Sequence, residues 1–208
     1  MTTLSPVTND PADAELSDGV PIAGVEVRAV DERGQAVSAG QLGECQYRGP
    51  HRCVGFLDDP VREAACLTRT GWFRSGDLVS ISERGQLTVA GRKKEVINRG
   101  GYKYSPREVE DILSGHPEIV AVAIVRMADP RLVERSCAFI IPRGNSRPTV
   151  RDLADYLQSH GIAAFKWPER IKLLSEFPTT ASGKVQKFEL EKMLDNEMDV
   201  TLTGKRNS

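Results

Sequence analysis

The chain has 208 residues, 39% of them hydrophobic and 27% charged, which is enough apolar content for one substantial core or two small ones and fits an ordinary globular chain rather than a disordered one. A formal net charge of -1 gives no global pull toward nucleic acid or an anionic membrane surface, so any phosphate site has to be local. Cys45, Cys53, Cys66 and Cys137 form no C-x-x-C pair and have no histidine at zinc spacing, which argues against a metal site and a disulfide framework and for a reducing, cytoplasmic setting. Residues 1–18 contain no apolar run of signal length, and no later run approaches the ~18 residues of a membrane span.

In chain order, residues 1–19 are polar and expected to be flexible. Residues 20–91 then alternate short apolar segments with polar turns. Val25-Glu26-Val27-Arg28-Ala29-Val30 is followed by the turn Asp31-Glu32-Arg33-Gly34 and by Gly43-Glu44-Cys45-Gln46-Tyr47. The pattern repeats at 78–81, with the turn Ser82-Glu83-Arg84-Gly85 and the segment Leu87-Thr88-Val89. This half reads as mostly β, with one short helix near 60–67.

The grammar changes at Ser105-Pro106-Arg107-Glu108, a capping-box pattern with proline at the first helical position and Val109, Ile112 and Leu113 on one face. Gly115 stops that helix. Apolar runs at 119–125 and 137–141 predict two strands, and Thr149 caps a helix carrying Leu153, Tyr156 and Leu157 that ends at Gly161. A strand over 170–174, a loop over 178–183 and a helix with Phe188, Leu190, Met193 and Leu194 complete a βαββαβα-like unit of about 100 residues. Residues 195–208 are polar and expected to fray. The boundary between the halves falls at Gly91-Arg92-Lys93-Lys94, a charged, glycine-led stretch that by itself is also compatible with a surface turn.

Four stretches carry groups that could do chemistry. Pro178-Thr179-Thr180-Ala181-Ser182-Gly183-Lys184 is a hydroxyl-rich loop that could bring an ammonium to a phosphate or carboxylate, although alone it reads first as a solvated lysine at a helix start. It is not a phosphate-binding loop of the Walker type, since Pro178 stands where the first glycine belongs and Val185 where the Mg²⁺-binding hydroxyl belongs. Gly71-Trp72-Phe73-Arg74-Ser75-Gly76-Asp77 sets a carboxylate after a glycine, suited to accept two ribose hydroxyls or simply to make a turn. Arg92 could offer a donor fork to the same ligand. Arg99-Gly100-Gly101-Tyr102-Lys103 would let a thin ligand arm pass bare backbone, or would be a tight turn between strands. His51, His116 and His160 are scattered and receive no role.

Taken together, these stretches in this order resemble the adenylate-forming superfamily of acyl-CoA and aryl-CoA synthetases, nonribosomal adenylation domains and luciferases, over roughly residues 19–195. The most specific carriers are 71–78, 91–101 with Glu108 and Glu110 beyond, and 178–184. The resemblance implies a mixed α+β fold in which a β-rich remnant of the large domain, a distorted barrel-like subdomain over 20–93, precedes a small mobile α+β C-terminal domain over 94–195, with a frayed tail over 196–208. It implies a two-step ligase in which ATP and a carboxylic acid give an acyl-adenylate and pyrophosphate, after which a thiol takes the acyl group. Lys184 would be the catalytic lysine. Asp77, Arg92 and Lys103 would hold the nucleotide, Lys94 would be the hinge, and Gly100, Gly101 and Tyr102 would line the passage of CoA or pantetheine. ATP, Mg²⁺ and CoA are the implied cofactor and co-substrates, with the Mg²⁺ ligands largely outside this chain and no metal site within it.

Lysine at the hinge position is a common alternative to aspartate. The phosphate loop and the acid pocket of the family have no counterpart here, and Met1-Thr2-Thr3 stands where a Tyr-Gly-x-Thr-Glu motif would close, with Thr3 at the place of the Mg²⁺-associated glutamate. The chain is therefore expected to be a C-terminal fragment, inactive alone and partnered by the N-terminal portion of the same enzyme. The stretches 134–143 and 161–169 resemble those of ligases for aryl, alicyclic or medium-chain acids. Two other readings share the motifs: an enzyme that loads an aryl or amino acid onto a carrier protein, and a non-catalytic truncation kept for binding a partner.

Overall fold

In the computed structural model the chain divides between Lys94 and Glu95 into two compact units. The structure describes residues 3–4, 17–52 and 55–204, the stretch 196–204 by its backbone alone. The expectations for Met1, Thr2, residues 5–16, Cys53 and 205–208 lie outside the described residues. Thr3 does not belong to a featureless start, because β1 (Thr3–Leu4) pairs antiparallel with β2 (Val20–Pro21).

The first unit is built on an antiparallel sheet of β3 (Glu26–Val30), β4 (Gly43–Arg48), β5 (Phe73–Ile81) and β6 (Leu87–Arg92), paired in that order. Alternation puts Ala29, Cys45, Val79 and Leu87 on one buried face, with Val27, Ile81 and Val89 packed around them. A helix α1 (Pro60–Cys66) follows from Asp59, whose side chain accepts the Arg62 N–H, and from proline in the first turn. Trp72 is 8% exposed, with the Arg28 and Arg48 guanidinium carbons 4.2 and 4.7 Å from its ring centre. Strand β5 starts five residues before the apolar run at 78–81. In the pairing with β4 the register shifts between Glu44, opposite Leu78, and Gln46, opposite Arg74, so that Ser75, Gly76 (φ +74°) and Asp77 bulge between them, and Asp77 pairs with Arg92 on β6.

The second unit opens with the hairpin β7 (Ile97–Arg99) and β8 (Tyr102–Tyr104), followed by α2 (Pro106–Leu113), β9 (Ile119–Asp129), β10 (Val133–Pro142), α3 (Val150–Ser159), β11 (Arg170–Leu173) and α4 (Lys187–Gly204). Strand β10 runs antiparallel to β9 and parallel to β11, and its first residue touches β7. The near-continuous apolar runs of β9 and β10 are explained by burial on both faces. Ile124, Ala138 and Ile140 meet Val109 and Leu113 of α2 and Leu153 and Leu157 of α3, while Ala123, Val125, Cys137 and Phe139 meet Leu190 and Leu194 of α4.

Both central strands outrun their apolar cores. Their charged ends still form a ribbon, with Arg135 Nε 3.1 Å from Asp129 Oδ2 across it. Thr149 and Asp152 close a reciprocal capping box on α3. On α2, Ser105 accepts the Arg107 N–H, and the Glu108 carboxylate takes the Lys166 ammonium at 2.7 Å. Helix α4 begins at Lys187 rather than at Lys184, and it continues to Gly204 past the apolar pattern, since extending a formed helix is cheaper than starting one. Mixed α+β, with sheets antiparallel except for the β10–β11 pair, thus describes the chain. The four-stranded sheet of the first unit is open, with β3 and β6 at its edges.

Candidate nucleotide and acyl-transfer site

In the first unit, Asp77 on β5 and Arg92 on β6 are register partners, and Arg92 Nε lies 2.9 Å from Asp77 Oδ1. Side-chain exposures of 27% for Asp77 and 42% for Arg92 leave both open to a ligand. So exposed a cross-strand pair adds only about 0.2–1 kcal/mol to the sheet, so its consequence is geometric rather than stabilising. The Ser75 hydroxyl accepts the Asp77 N–H at 3.0 Å, and Arg92 Nη1 donates to the Ser75 carbonyl at 3.5 Å. The neighbouring Lys93 ammonium is held by Glu44 at 2.9 Å. Ser75, Gly76, Arg92, Lys93 and Lys94 line a pocket of about 340 Å³. A Cβ on Gly76 would meet nothing within 4 Å, so its positive φ, and not crowding, calls for glycine. The lining brings the Ser75 hydroxyl together with three cationic side chains, groups that can hydrogen-bond a phosphate.

Cys45, read from the sequence only as an unpaired thiol, lies beneath this site. Burial pushes its thiol up, a Ser75 hydrogen bond opposes that, and the Asp77 and Glu44 carboxylates add to it. It is a packing residue rather than a nucleophile.

In the second unit, Gly100 and Gly101 form the two-residue turn between β7 and β8, with φ of +58° and +95°, the pair of positive angles that a tight right-twisted hairpin needs. The two glycines differ in surroundings. Gly100 donates to the Leu132 carbonyl at 2.7 Å, and an added Cβ would come 3.3 Å from Leu132 Cδ2; Gly101 has nothing within 4 Å of that position. Bare backbone is therefore open to a ligand at Gly101, whereas Gly100 is spent on docking the hairpin against the turn after Asp129. Tyr102 is 66% exposed and leans on Phe165 at 5.1 Å, and Lys103 is exposed opposite Asn98. Beneath them Tyr104 is buried, and its hydroxyl lies near Ser136 without a hydrogen bond of good geometry; burial pushes its pKa up to about 12.

The loop expected at 178–183 is an ordered hairpin rather than a loose segment. Thr179 pairs with Val185, the Thr180 N–H donates to the Lys184 carbonyl at 2.9 Å, and the Gln186 N–H donates to the Pro178 carbonyl at 2.8 Å. Gly183, at φ +80°, closes the turn by donating to the Thr180 carbonyl at 2.9 Å. Val185 and Phe177 seat the base of the hairpin against the core that contains Phe139. Lys184 is exposed at its end. Sequence reasoning missed two ion clusters of this unit: Lys187 between Glu110 and Glu95 beside this base, and Glu169 between Arg99 of β7 at 2.7 Å and Arg135 of β10 at 3.5 Å. Partners as far as 77 positions apart leave no local pattern to read.

Residues 108–184, within this mixed α+β unit, match the family model of the AMP-binding enzyme C-terminal domain. The chain corresponds to the C-terminal portion of adenylate-forming enzymes. It is 42% identical over 174 residues to pyochelin synthase PchD of Pseudomonas aeruginosa, covering 84% of this chain and 32% of that protein. It is 40% identical over 177 residues to the medium-chain fatty-acid–CoA ligase of Escherichia coli, covering 85% of this chain and 31% of that one. The structure is similar to that of ATP-bound MatB from Rhodopseudomonas palustris, with a TM-score of 0.79 and 26% identity over 86% of this chain and 35% of that chain. The chain thus spans about a third of the length of the proteins it matches. Among the described residues, no helix is long and apolar enough to cross a membrane.

Proposed function

We propose that this chain supplies part of the nucleotide site and the mobile lysine of an ATP-dependent carboxylic acid:CoA ligase. The sheet of the first unit is in this reading part of a barrel-like subdomain that the large N-terminal domain completes. The observation that carries the reading is the Asp77–Arg92 cross-strand pair, with Arg92 lining a pocket beside Ser75, Lys93 and Lys94 in one unit, combined with an exposed lysine on an ordered hairpin in the other.

In the first step a carboxylate oxygen of the acid attacks the α-phosphorus of ATP, the bond to the bridging oxygen breaks, and pyrophosphate leaves. Lys184 stabilises the charge that develops on the acid and the α-phosphate, a contribution of about 3–4 kcal/mol when a single preorganised donor is removed. Asp77 accepts the ribose hydroxyls, Arg92 and Lys103 support the nucleotide, and the first of these contacts requires Arg92 to share the Asp77 carboxylate. In the second step a thiolate attacks the acyl carbon and AMP leaves. Between the steps the second unit turns about Lys94, taking Lys184 away and bringing Gly101 and Tyr102 to the thiol, a change of the domain-rotation kind. The division of the chain next to Lys94 supports that hinge. Mg²⁺ accompanies ATP. The described residues contain no group of three or more histidine, cysteine or acidic side chains placed to hold a metal.

Identity to pyochelin synthase PchD favours a second reading, in which the acceptor is the phosphopantetheine of a carrier protein rather than CoA. Activity of the enzyme that carries this chain, measured with CoA and with a pantetheinylated carrier protein as acceptors, separates the two. The test of the shared chemistry is ATP–pyrophosphate exchange with Lys184→Ala. Exchange should be lost, while transfer from a supplied acyl-adenylate to the thiol persists; exchange near the wild-type rate would remove Lys184 from the mechanism.

A further inference from the structure

Lys187 opens α4 three residues after Lys184. Its ammonium lies 2.7 Å from Glu110 Oε1, 3.0 Å from Glu110 Oε2 and 3.3 Å from Glu95 Oε2, and its side chain is only 18% exposed. The Glu110 carboxylate is fixed in turn by the Ile124 N–H of β9 at 2.5 Å. Glu95 is the first residue of the second unit. One ammonium therefore joins three stretches of that unit: the residue after Lys94, the middle of α2, and the root of the hairpin that carries Lys184. A lysine on a solvated face would take one partner and stay exposed; this one takes two carboxylates and is mostly buried. The apolar contacts of Val185 and Phe177 set how deep the hairpin sits, but such contacts are not directional, whereas charge-assisted hydrogen bonds are.

We propose that Lys187, clamped by Glu110 and Glu95, is a positioning residue for Lys184: it fixes the direction in which the hairpin presents the Lys184 ammonium and ties that direction to the residue following the hinge. Its catalytic consequence rests on the function proposed for Lys184. Without the clamp Lys184 remains on the chain and the nucleotide groups of the first unit are untouched, so the loss falls on kcat of the first half-reaction and leaves the KM for ATP in place.

Two measurements test this. In the 208-residue chain, amide hydrogen exchange is followed at Lys184 and Gln186, whose N–H groups donate to Thr180 Oγ1 and to the Pro178 carbonyl. Lys187→Met should speed both by about tenfold or more with the β10 amides unchanged, and Lys187→Arg should stay within about threefold of wild type. Exchange identical to wild type in Lys187→Met overturns the clamp, and so does an equal acceleration throughout β10, which would make Lys187 a support of the whole fold. Glu95→Gln, which leaves the Glu110 pair in place, gives a milder variant should Lys187→Met not fold, with an expected acceleration of about threefold at the same two amides; no acceleration there overturns the clamp as well.

In the enzyme that carries this chain, ATP–pyrophosphate exchange is then measured with octanoate and with benzoate as acid probes. Lys187→Met should lower kcat about thirtyfold at an unchanged KM for ATP, with Lys187→Arg restoring it to within about threefold. An unchanged kcat beside an inactive Lys184→Ala overturns the positioning role and leaves the proposed function standing. A fully active Lys184→Ala, or no exchange by wild type with either acid, counts against the proposed function, and the exchange of the hairpin amides then decides the clamp alone.

Discussion

The Asp77–Arg92 pair and the Lys184 hairpin are both polar sites on β structure, yet they are held in opposite ways. Asp77 and Arg92 face each other as register partners of two paired strands whose buried residues, Val79 and Leu87 among them, anchor the sheet just beyond a register shift, so the pair is fixed by backbone pairing. Lys184 sits on a hairpin whose hydrogen bonds are its own and which meets the core only at its base, through Val185 and Phe177. Groups that hold a nucleotide through a reaction are suited to the first arrangement. A cation that is needed for one step and must leave for the next is suited to the second.

The sharpest way to break that comparison is to compare the kinetic signatures of the two sites. Lys184→Ala should reduce the first half-reaction by about 10²–10³-fold through kcat. Because its side chain is exposed, the Tm should be unchanged. Asp77→Ala should act instead on the KM for ATP, by about tenfold to a hundredfold, the value of hydrogen bonds to a charged group. It also frees Arg92, so Asp77→Asn is the fairer variant, keeping the shape while losing the charge. If both sites gave the same split between kcat and KM, the division into a holding site and an arriving cation would be wrong.

A smaller effect is expected from the turn itself. Gly183 has φ +80° and nothing within 4 Å of an added Cβ, so Gly183→Ala meets backbone strain alone, about 1–2 kcal/mol. That corresponds to at most about thirtyfold in the first half-reaction. Gly101→Ala is its counterpart on the other hairpin, with the same open surroundings and φ +95°, and its loss should appear in thiol transfer. Steady-state assay of the two half-reactions separately checks both.

The two sites also differ in how much of each is legible in the sequence. The apolar runs at 119–125 and 137–141, the caps at Ser105 and Thr149, and the helix carrying Leu190 and Leu194 lie where periodicity and capping chemistry put them, since those rules act within a few residues. Asp77 as a strand residue is hidden. Gly76 breaks the alternation, and only the pairing of Arg74 and Leu78 with β4 on either side of it, and of Asp77 with Arg92 on β6, shows that the strand continues. The stretch 178–186 reads as loose because hydroxyls and glycine mark loops in general, and its order comes from hydrogen bonds within a nine-residue stretch with no apolar period. Lys184 and Lys187 are indistinguishable as charges. The distinction between an exposed lysine and a clamped one is set by Glu95 and Glu110, far off in sequence.

The smallest effect should come from Tyr104, and its size is informative. Its hydroxyl is buried under the double-glycine hairpin with no well-formed hydrogen bond, so removing it costs no partner. Tyr104→Phe should leave stability at neutral pH within about 1 kcal/mol of wild type, or raise it. The alkaline limb is where the two proteins part. The folded pKa of about 12 lies above the ordinary 10.0 because burial penalises the phenolate, so the folded chain keeps the proton that the unfolded chain has released. Stability from this group is therefore complete below about pH 10 and is lost as pH rises toward 12. Urea unfolding followed from pH 9 to 11.5 should show wild type falling more steeply than Tyr104→Phe. Parallel curves would mean that the hydroxyl reaches water in the folded state, and that the floor of this hairpin is more open than the sheet beneath Asp77 and Arg92.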